Sequence, residues 1–351
     1  MEVAVRSELA VRGVRAPARV RRRGGAGPSD DGHLLVGGRQ AALPLCGDSP
    51  FEVVGGRLTR DGEPLDVEVE PVARPRFYDL ETAEGVPYEQ IARLHGEHVL
   101  ATTVVQTCVR YRDEDTRCRF CTIEESLRSG ATVQVKQPGE LAEVAEAAVR
   151  LDGVRQLVMT TGTSNGSDRG ARHLARCAAA VREVVPGLPI QAQCEPPREP
   201  GVLEGLREAG VTALGIHVES LDEDVRRRWT PGKAEVSVAG YEAAWREAVR
   251  VFGRNRVSTY VLVGLGEDPE ELVAGAERLV SMGVYPFVVP YRPQAGSLAA
   301  RDGVPPPSAE VLEEVTTRVA AALQAGGMRG VDQGAGCAAC GACSALAAAG
   351  G

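Results

Sequence analysis

The chain has 351 residues, 43% hydrophobic and 4% aromatic, with a formal net charge of −8. That length suits one α/β barrel with an appendage, and the apolar share suffices for a core built mainly of Val, Leu and Ala. The acidic balance argues against a general nucleic-acid binder. With no apolar run of membrane-helix length and no signal-peptide core near the start, the chain is expected to be cytoplasmic, with reduced thiols and no membrane association.

Residues 1–95 read as a β-rich accessory region. Short stretches such as HLLVG, FEVVGG and DVEVEPV are separated by Gly, Pro and Asp. The basic run Arg19–Arg23 before GGAGPSDDG reads as a solvated loop, with a nucleic-acid patch as the alternative. Residues 96–305 alternate regularly. HVLATTVVQT is a strand, PGELAEVAEAAVRL a helix with Pro138 at its start, VRQLVMTT a strand and DRGARHLARCAAAVREVV a helix. LPIQAQCE, VTALGIHVE, RVSTYVLVGL and VYPFVVPYR continue the strands. PGVLEGLREAG, the segments 222–228 and 236–251, and DPEELVAGAERLVSMG continue the helices. Residues 306–351 hold a last helix, SAEVLEEVTTRVAAALQAG, and a cysteine-rich tail. Six β/α units imply parallel strands with right-handed crossovers. The expected fold is α/β, an open partial (β/α)6 barrel, with a doubly wound sheet as the alternative. In either case the chemistry belongs at the carboxyl ends of the strands.

The residues able to do chemistry fall at those ends. Nine cysteines are present, clustered rather than spread as a disulfide framework. Cys108, Cys118 and Cys121 lie in TCVRYRDEDTRCRFCTIEES after the first strand. Three thiolates in one loop suggest an iron–sulfur cluster, and three ligands rather than four leave an iron open for a cofactor or substrate. The charged insert VRYRDEDTR is expected to bulge into solvent. Cys194 and Glu195 end the third strand, Glu219 the fourth and Arg292 the sixth. Arg292 could hold a substrate carboxylate bidentately, or serve in a rim salt bridge. His217 shares a face with Glu219 and reads as a core or surface histidine. The tail GCAACGACSAL places Cys337, Cys340 and Cys343 in CxxCxxC spacing. An auxiliary iron–sulfur cluster is expected there, with zinc or a redox-active tail as alternatives and Cys194, then Cys46, as candidate fourth ligands. Cys177, inside a helix, reads as a small buried residue.

A cysteine triad after the first strand of a six-fold β/α repeat resembles the radical S-adenosylmethionine (SAM) superfamily. The usual CxxxCxxC spacing is matched at Arg119–Phe120–Cys121, while nine residues separate Cys108 from Cys118. The run GIHVESLDEDVRRRWTPGKA resembles biotin-synthase-like and lipoyl-synthase-like members, and in particular an uncharacterised bacterial group found beside nitrilase genes. The resemblance implies an oxygen-sensitive enzyme. Cys108, Cys118 and Cys121 would hold a [4Fe–4S] cluster whose open iron binds SAM. Reductive cleavage would then give a 5′-deoxyadenosyl radical that takes hydrogen from a small-molecule substrate. It implies SAM contacts from Phe120, the turn Thr161–Gly162–Thr163, Glu195 and Glu219, and a catalytic part for Glu219 and Arg292. It also implies a flavodoxin- or ferredoxin-type electron donor. The competing reading is a non-catalytic iron–sulfur or zinc protein for electron transfer or binding.

Overall fold

The structure, a computed structural model, describes residues 2–15 and 32–350. The basic run Arg19–Arg23 lies outside the described residues.

The N-terminal unit begins with a helix that the β-rich reading did not anticipate, α1 (Val3–Arg12). Its Leu9 and Ala10 are fully buried, and it packs on the last long helix of the chain. Five antiparallel strands follow: β1 (His33–Val36), β2 (Arg39–Ala42), β3 (Phe51–Val54), β4 (Arg57–Arg60) and β5 (Glu63–Pro71). Their order in the sheet is β2-β1-β5-β4-β3. Gly37–Gly38, Gly55–Gly56 and Asp61–Gly62 all have positive φ, and each pair forms the two-residue turn of a hairpin. Leu9, Leu34, Val36, Phe51, Leu58 and Val69 make a small separate core.

The second sheet has seven strands in the order β12-β11-β10-β9-β8-β7-β6. After the helical turn α2 (Tyr88–Ile91), β6 (Arg93–His95) runs antiparallel along one edge. The others are parallel: β7 (Val99–Thr103), β8 (Gln156–Thr160), β9 (Ile190–Gln193), β10 (Ala213–Gly215), β11 (Val257–Val263) and β12 (Val284–Pro290). Between them lie α3 (Glu125–Arg128), α4 (Pro138–Asp152), α5 (Ala171–Val184), α6 (Val202–Glu208), α7 (Glu223–Trp229), α8 (Val238–Phe252) and α9 (Pro269–Ser281). The chain closes with α10 (Leu298–Arg301), α11 (Ala309–Ala325) and α12 (Cys337–Cys340). The sheet curls into a partial barrel rather than a flat doubly wound layer. The six β/α units thus follow the predicted order. The starts of α7, α8, α9 and α11 are marked by the capping side chains of Asp222, Ser237, Asp268 and Ser308, each accepting backbone N–H left unpaired in the first turn.

A partial barrel leaves a gap between its edge strands β6 and β12. The N-terminal sheet and the C-terminal tail meet there. Ala42 donates its N–H to the Ala342 carbonyl (2.8 Å), and the Arg6 and Arg39 guanidinium groups donate to the Ala342 and Ala347 carbonyls. The Ser344 hydroxyl donates to the Val288 carbonyl of β12, and the Gly96 N–H beside β6 donates to His33 Nδ1 of β1 (3.3 Å). Among the described residues no helix is long and apolar enough to cross a membrane.

Candidate functional site

The cysteine loop leaves β7, is tied to two neighbouring segments and closes a tight turn of its own. Val109 donates to the Thr163 carbonyl (3.0 Å), Arg119 to the Trp229 carbonyl (2.8 Å), and Cys121 to the Cys118 carbonyl (3.0 Å). The charged insert does not bulge as a whole. Residues 112–115 are exposed, while Arg110, Tyr111 and Arg117 turn inward and are buried. Arg117 lies over the Tyr111 ring (3.8 Å) and donates to Tyr111 Oη, the Cys121 carbonyl and the Gly296 carbonyl (2.8 Å each). Arg110 clasps Glu195 through Nε and Nη2 (3.2 and 3.1 Å), a bidentate pair that is buried on both sides. Its third nitrogen meets Glu235 (3.3 Å) and the Gly232 carbonyl.

Three thiols therefore share one neighbourhood. Burial pushes Cys118 up and Cys121 up to about 11; Cys108 beside them raises both further, while Lys233 opposes the rise. Among the described residues no three His, Cys, Asp or Glu side chains converge on one metal ion. A polynuclear iron–sulfur cluster makes a different demand, because its thiolates bind separate irons and stand apart. A set of sulfur donors alone, grouped but not convergent and next to a cation, fits such a cluster.

Glu195 and Glu219 stand at the carboxyl ends of β9 and β10, both buried. Glu195 accepts the Thr163 hydroxyl as well as Arg110 (2.7 Å). Glu219 Oε1 accepts from Lys233 Nζ (2.8 Å), while Oε2 is buried without a hydrogen-bond partner. Burial and Glu195 raise the Glu219 carboxyl and Lys233 lowers it; Glu219 in turn raises the Lys233 ammonium. The β10 ladder is irregular here. His217 Nδ1 takes the N–H of Tyr260 (3.1 Å) where a backbone carbonyl would otherwise serve, and Glu219 has φ 64°. A non-glycine residue held in that left-handed region is uncommon outside functional or strained sites. His217 stacks flat on Tyr260 (4.0 Å between rings). Burial and Lys233 lower it to about 3, so it is neutral, with Nε2 buried and unpartnered.

Phe120 packs with Val225, Trp229, Leu262, Leu265 and Tyr291 in a satellite core under the loop. In the turn after β8, a Cβ at Gly162 would lie 2.0 Å from the Thr107 carbonyl, so glycine lets this turn press against the residue before Cys108. Thr161 keeps its hydroxyl on the Gly162 carbonyl (3.0 Å). Arg292 does not join the two glutamates. It donates to the Ala10 and Ala42 carbonyls (3.1 and 3.2 Å) and lines a cavity of about 1080 Å³ between the N-terminal unit and the barrel. That cavity also has Arg12, Arg128, Glu125, His95 and Cys343 in its wall.

The tail reaches the opposite end of the barrel. Gly336 donates to Gln156 Oε1 at the start of β8 (2.7 Å), and Arg256 before β11 donates to the Gln333 carbonyl. Cys337 Sγ meets Tyr260 Oη (2.8 Å) and Gln193 Nε2 (3.4 Å). Cys343 Sγ lies 3.6 Å from His95 Nε2, whose positive charge helps draw that thiol down to about 7. Neither expected fourth ligand stands here. Cys194 is packed in the barrel's main apolar core, its thiol pushed up to about 12 by burial, Glu195 and Asp168. Cys46 lines the cavity near Asp48 and Arg292. Cys177 is buried in α5 as expected. Sequence reading missed Arg110, Lys233, Tyr260 and His95. Lys233 carried a signal: it is one of only two lysines in an arginine-rich chain, and the other, Lys136, is also inside.

Residues 113–279 match the family model described as the radical SAM superfamily. Bacteriochlorophyllide c C-7(1)-hydroxylase of Chlorobaculum limnaeum is 32% identical over 140 residues, covering 39% of this chain and 34% of that protein. Lipoyl synthase of Thermus thermophilus is 30% identical over 171 residues, covering 48% of this chain and 50% of that protein. The chain thus spans half the length of these two relatives or less. Lipoyl synthase of Ectopseudomonas mendocina is 24% identical over 268 residues, covering 69% and 73%. Among solved structures, methylornithine synthase has a similar fold, with TM-score 0.50, 18% identity and 78% of each chain covered. A non-catalytic iron–sulfur or zinc module is not favoured by the family match.

Proposed function

We propose that this chain, whose residues 113–279 match the radical SAM superfamily, is a biotin-synthase-like radical SAM enzyme acting on a small molecule. When bound, a [4Fe–4S] cluster supplies the electron that cleaves SAM to a 5′-deoxyadenosyl radical, which takes hydrogen from the substrate. Cys108, Cys118 and Cys121 are the residues that would hold it. Thr161, Gly162 and Thr163 shape the SAM side of the pocket, with Phe120 packing the loop against it. Glu195, oriented by Arg110 and Thr163, and Glu219, oriented by Lys233, present carboxylates to SAM or substrate. The cavity wall is mixed in charge, with Arg12 and Arg292 beside Asp48 and an Arg128–Glu125 ion pair, and suits a polar substrate. Cys337, Cys340 and Cys343 would hold an auxiliary cluster at the other end of the barrel. A flavodoxin- or ferredoxin-type protein would deliver the electron.

The observation that carries this reading is Glu219: a carboxylate buried beside the cysteine loop, on a left-handed backbone, with Oε2 unpartnered. Such an atom is costly unless a ligand satisfies it. The test is anaerobic incubation of reconstituted protein with SAM and dithionite, with 5′-deoxyadenosine measured. The native chain should form it. Cys118→Ala should form none while its circular dichroism stays unchanged. Undiminished product from Cys118→Ala would overturn the reading.

A further inference from the structure

Read as a cluster site, the tail supplies three cysteines, and no fourth cysteine follows them in the CxxCxxC run. We propose that His95 is the fourth ligand, so that Cys337, Cys340, Cys343 and His95 form a Cys3His cluster site. This rests on reading the tail as a cluster site, and it does not depend on chemistry at Cys108, Cys118 and Cys121.

The tail is folded to bring its thiols together. Cys337–Cys340 is a single helical turn, and Gly341 (φ 70°) reverses the chain so that Cys343 returns to the same place. His95 stands beside them: its Nε2 is 3.6 Å from Cys343 Sγ, and Cys340 Sγ faces Gln40 Oε1 at 3.8 Å. The neighbouring imidazole is committed elsewhere. His33 meets His95 edge-on at 4.3 Å, but its Nδ1 accepts the Gly96 N–H.

Two further features suit a cluster. Cys337 Sγ is hydrogen-bonded to Tyr260 Oη and Gln193 Nε2, and bonds of this kind to ligand sulfurs help set a cluster's potential. A Cβ at Gly336 would lie 2.2–2.4 Å from three atoms of the Gln191 side chain, so glycine is what lets Cys337 approach the barrel floor. His95 and Cys343 both line the large cavity, which gives iron and sulfide a way in.

An imidazole in place of a thiolate removes negative charge from the site and raises the potential, as histidine ligation does in Rieske centres. The experiment uses the full chain with Cys108, Cys118 and Cys121 all replaced by Ala, reconstituted with ferrous iron and sulfide. Iron and sulfide content, pulsed EPR of the reduced protein and the midpoint potential are measured, then repeated with His95→Cys added. The expected result is retained iron and sulfide with a strongly coupled ¹⁴N signal. His95→Cys should keep the iron, lose that coupling and lower the potential. Loss of all iron, or zinc without sulfide, would overturn the proposal. So would a retained cluster whose spectrum and potential are indifferent to His95→Cys. Failure of the radical chemistry would appear in the native chain's SAM cleavage and not here.

Discussion

Arg110 and Glu195 are an ion pair buried on both sides, where attraction and desolvation nearly cancel. Removing one partner is a different matter, since it strands a charge. Arg110→Met should therefore destabilise the fold by about 3–5 kcal/mol in urea unfolding. A loss below about 1 kcal/mol would mean that Glu195 finds water or another partner. Lys136 makes a pH-dependent case. It is 1% exposed, donates to Gln106 Oε1 (3.3 Å), the Thr132 hydroxyl and the Val133 carbonyl (2.8 Å), and burial lowers it to about 7. A lysine whose folded value lies below its unfolded value of 10.5 binds fewer protons when folded. Stability should rise with pH across that window and be lowest below it. Relative to Lys136→Met, native stability should climb with a slope approaching ~1.4 kcal/mol per pH unit between pH 7 and 10. Parallel curves for the two proteins would contradict this.

At the scale of elements, the turn after β8 backs the cysteine loop so closely that Gly162 has no room for a Cβ. Gly162→Ala should push the Thr107 segment away. Iron incorporation should then fall several-fold while the helical signal is kept, which iron analysis and circular dichroism would measure together. The parallel strands and long helices were legible because their apolar periodicity and caps are local. Glu195, Glu219 and the two cysteine groups were legible too, since chemical residue types at strand ends are a local pattern. Other features were not. The short edge strand β6 has only three residues and pairs by contact with β7. Helix α1 owes its place to packing on α11, some 300 residues away. The break in β10 depends on a histidine ring replacing a backbone acceptor, which no spacing rule announces.

In the whole molecule, the N-terminal sheet and the tail close the open side of the barrel. The accessory region and cysteine tail were legible as separate pieces, but their meeting was not: Arg6 and Ala342 are 336 residues apart, and His95 and Cys343 are 248 apart. Arg6 is buried, and burial, then Arg292, hold it down at about 10. Arg6→Met should release the tail, raising amide hydrogen exchange over residues 336–346 by tenfold or more, a loss of at least about 1.4 kcal/mol. Unchanged exchange would show that the tail is held by its other contacts alone. The central claim is that Cys108, Cys118 and Cys121 hold a cluster with one iron open to SAM at the carboxyl end of this barrel. Its most direct test is the EPR spectrum of the anaerobically reconstituted, reduced protein, recorded with and without SAM. The account predicts a [4Fe–4S]⁺ signal that shifts when SAM is added and that disappears in Cys118→Ala. A signal indifferent to SAM, or one unchanged in Cys118→Ala, would contradict it.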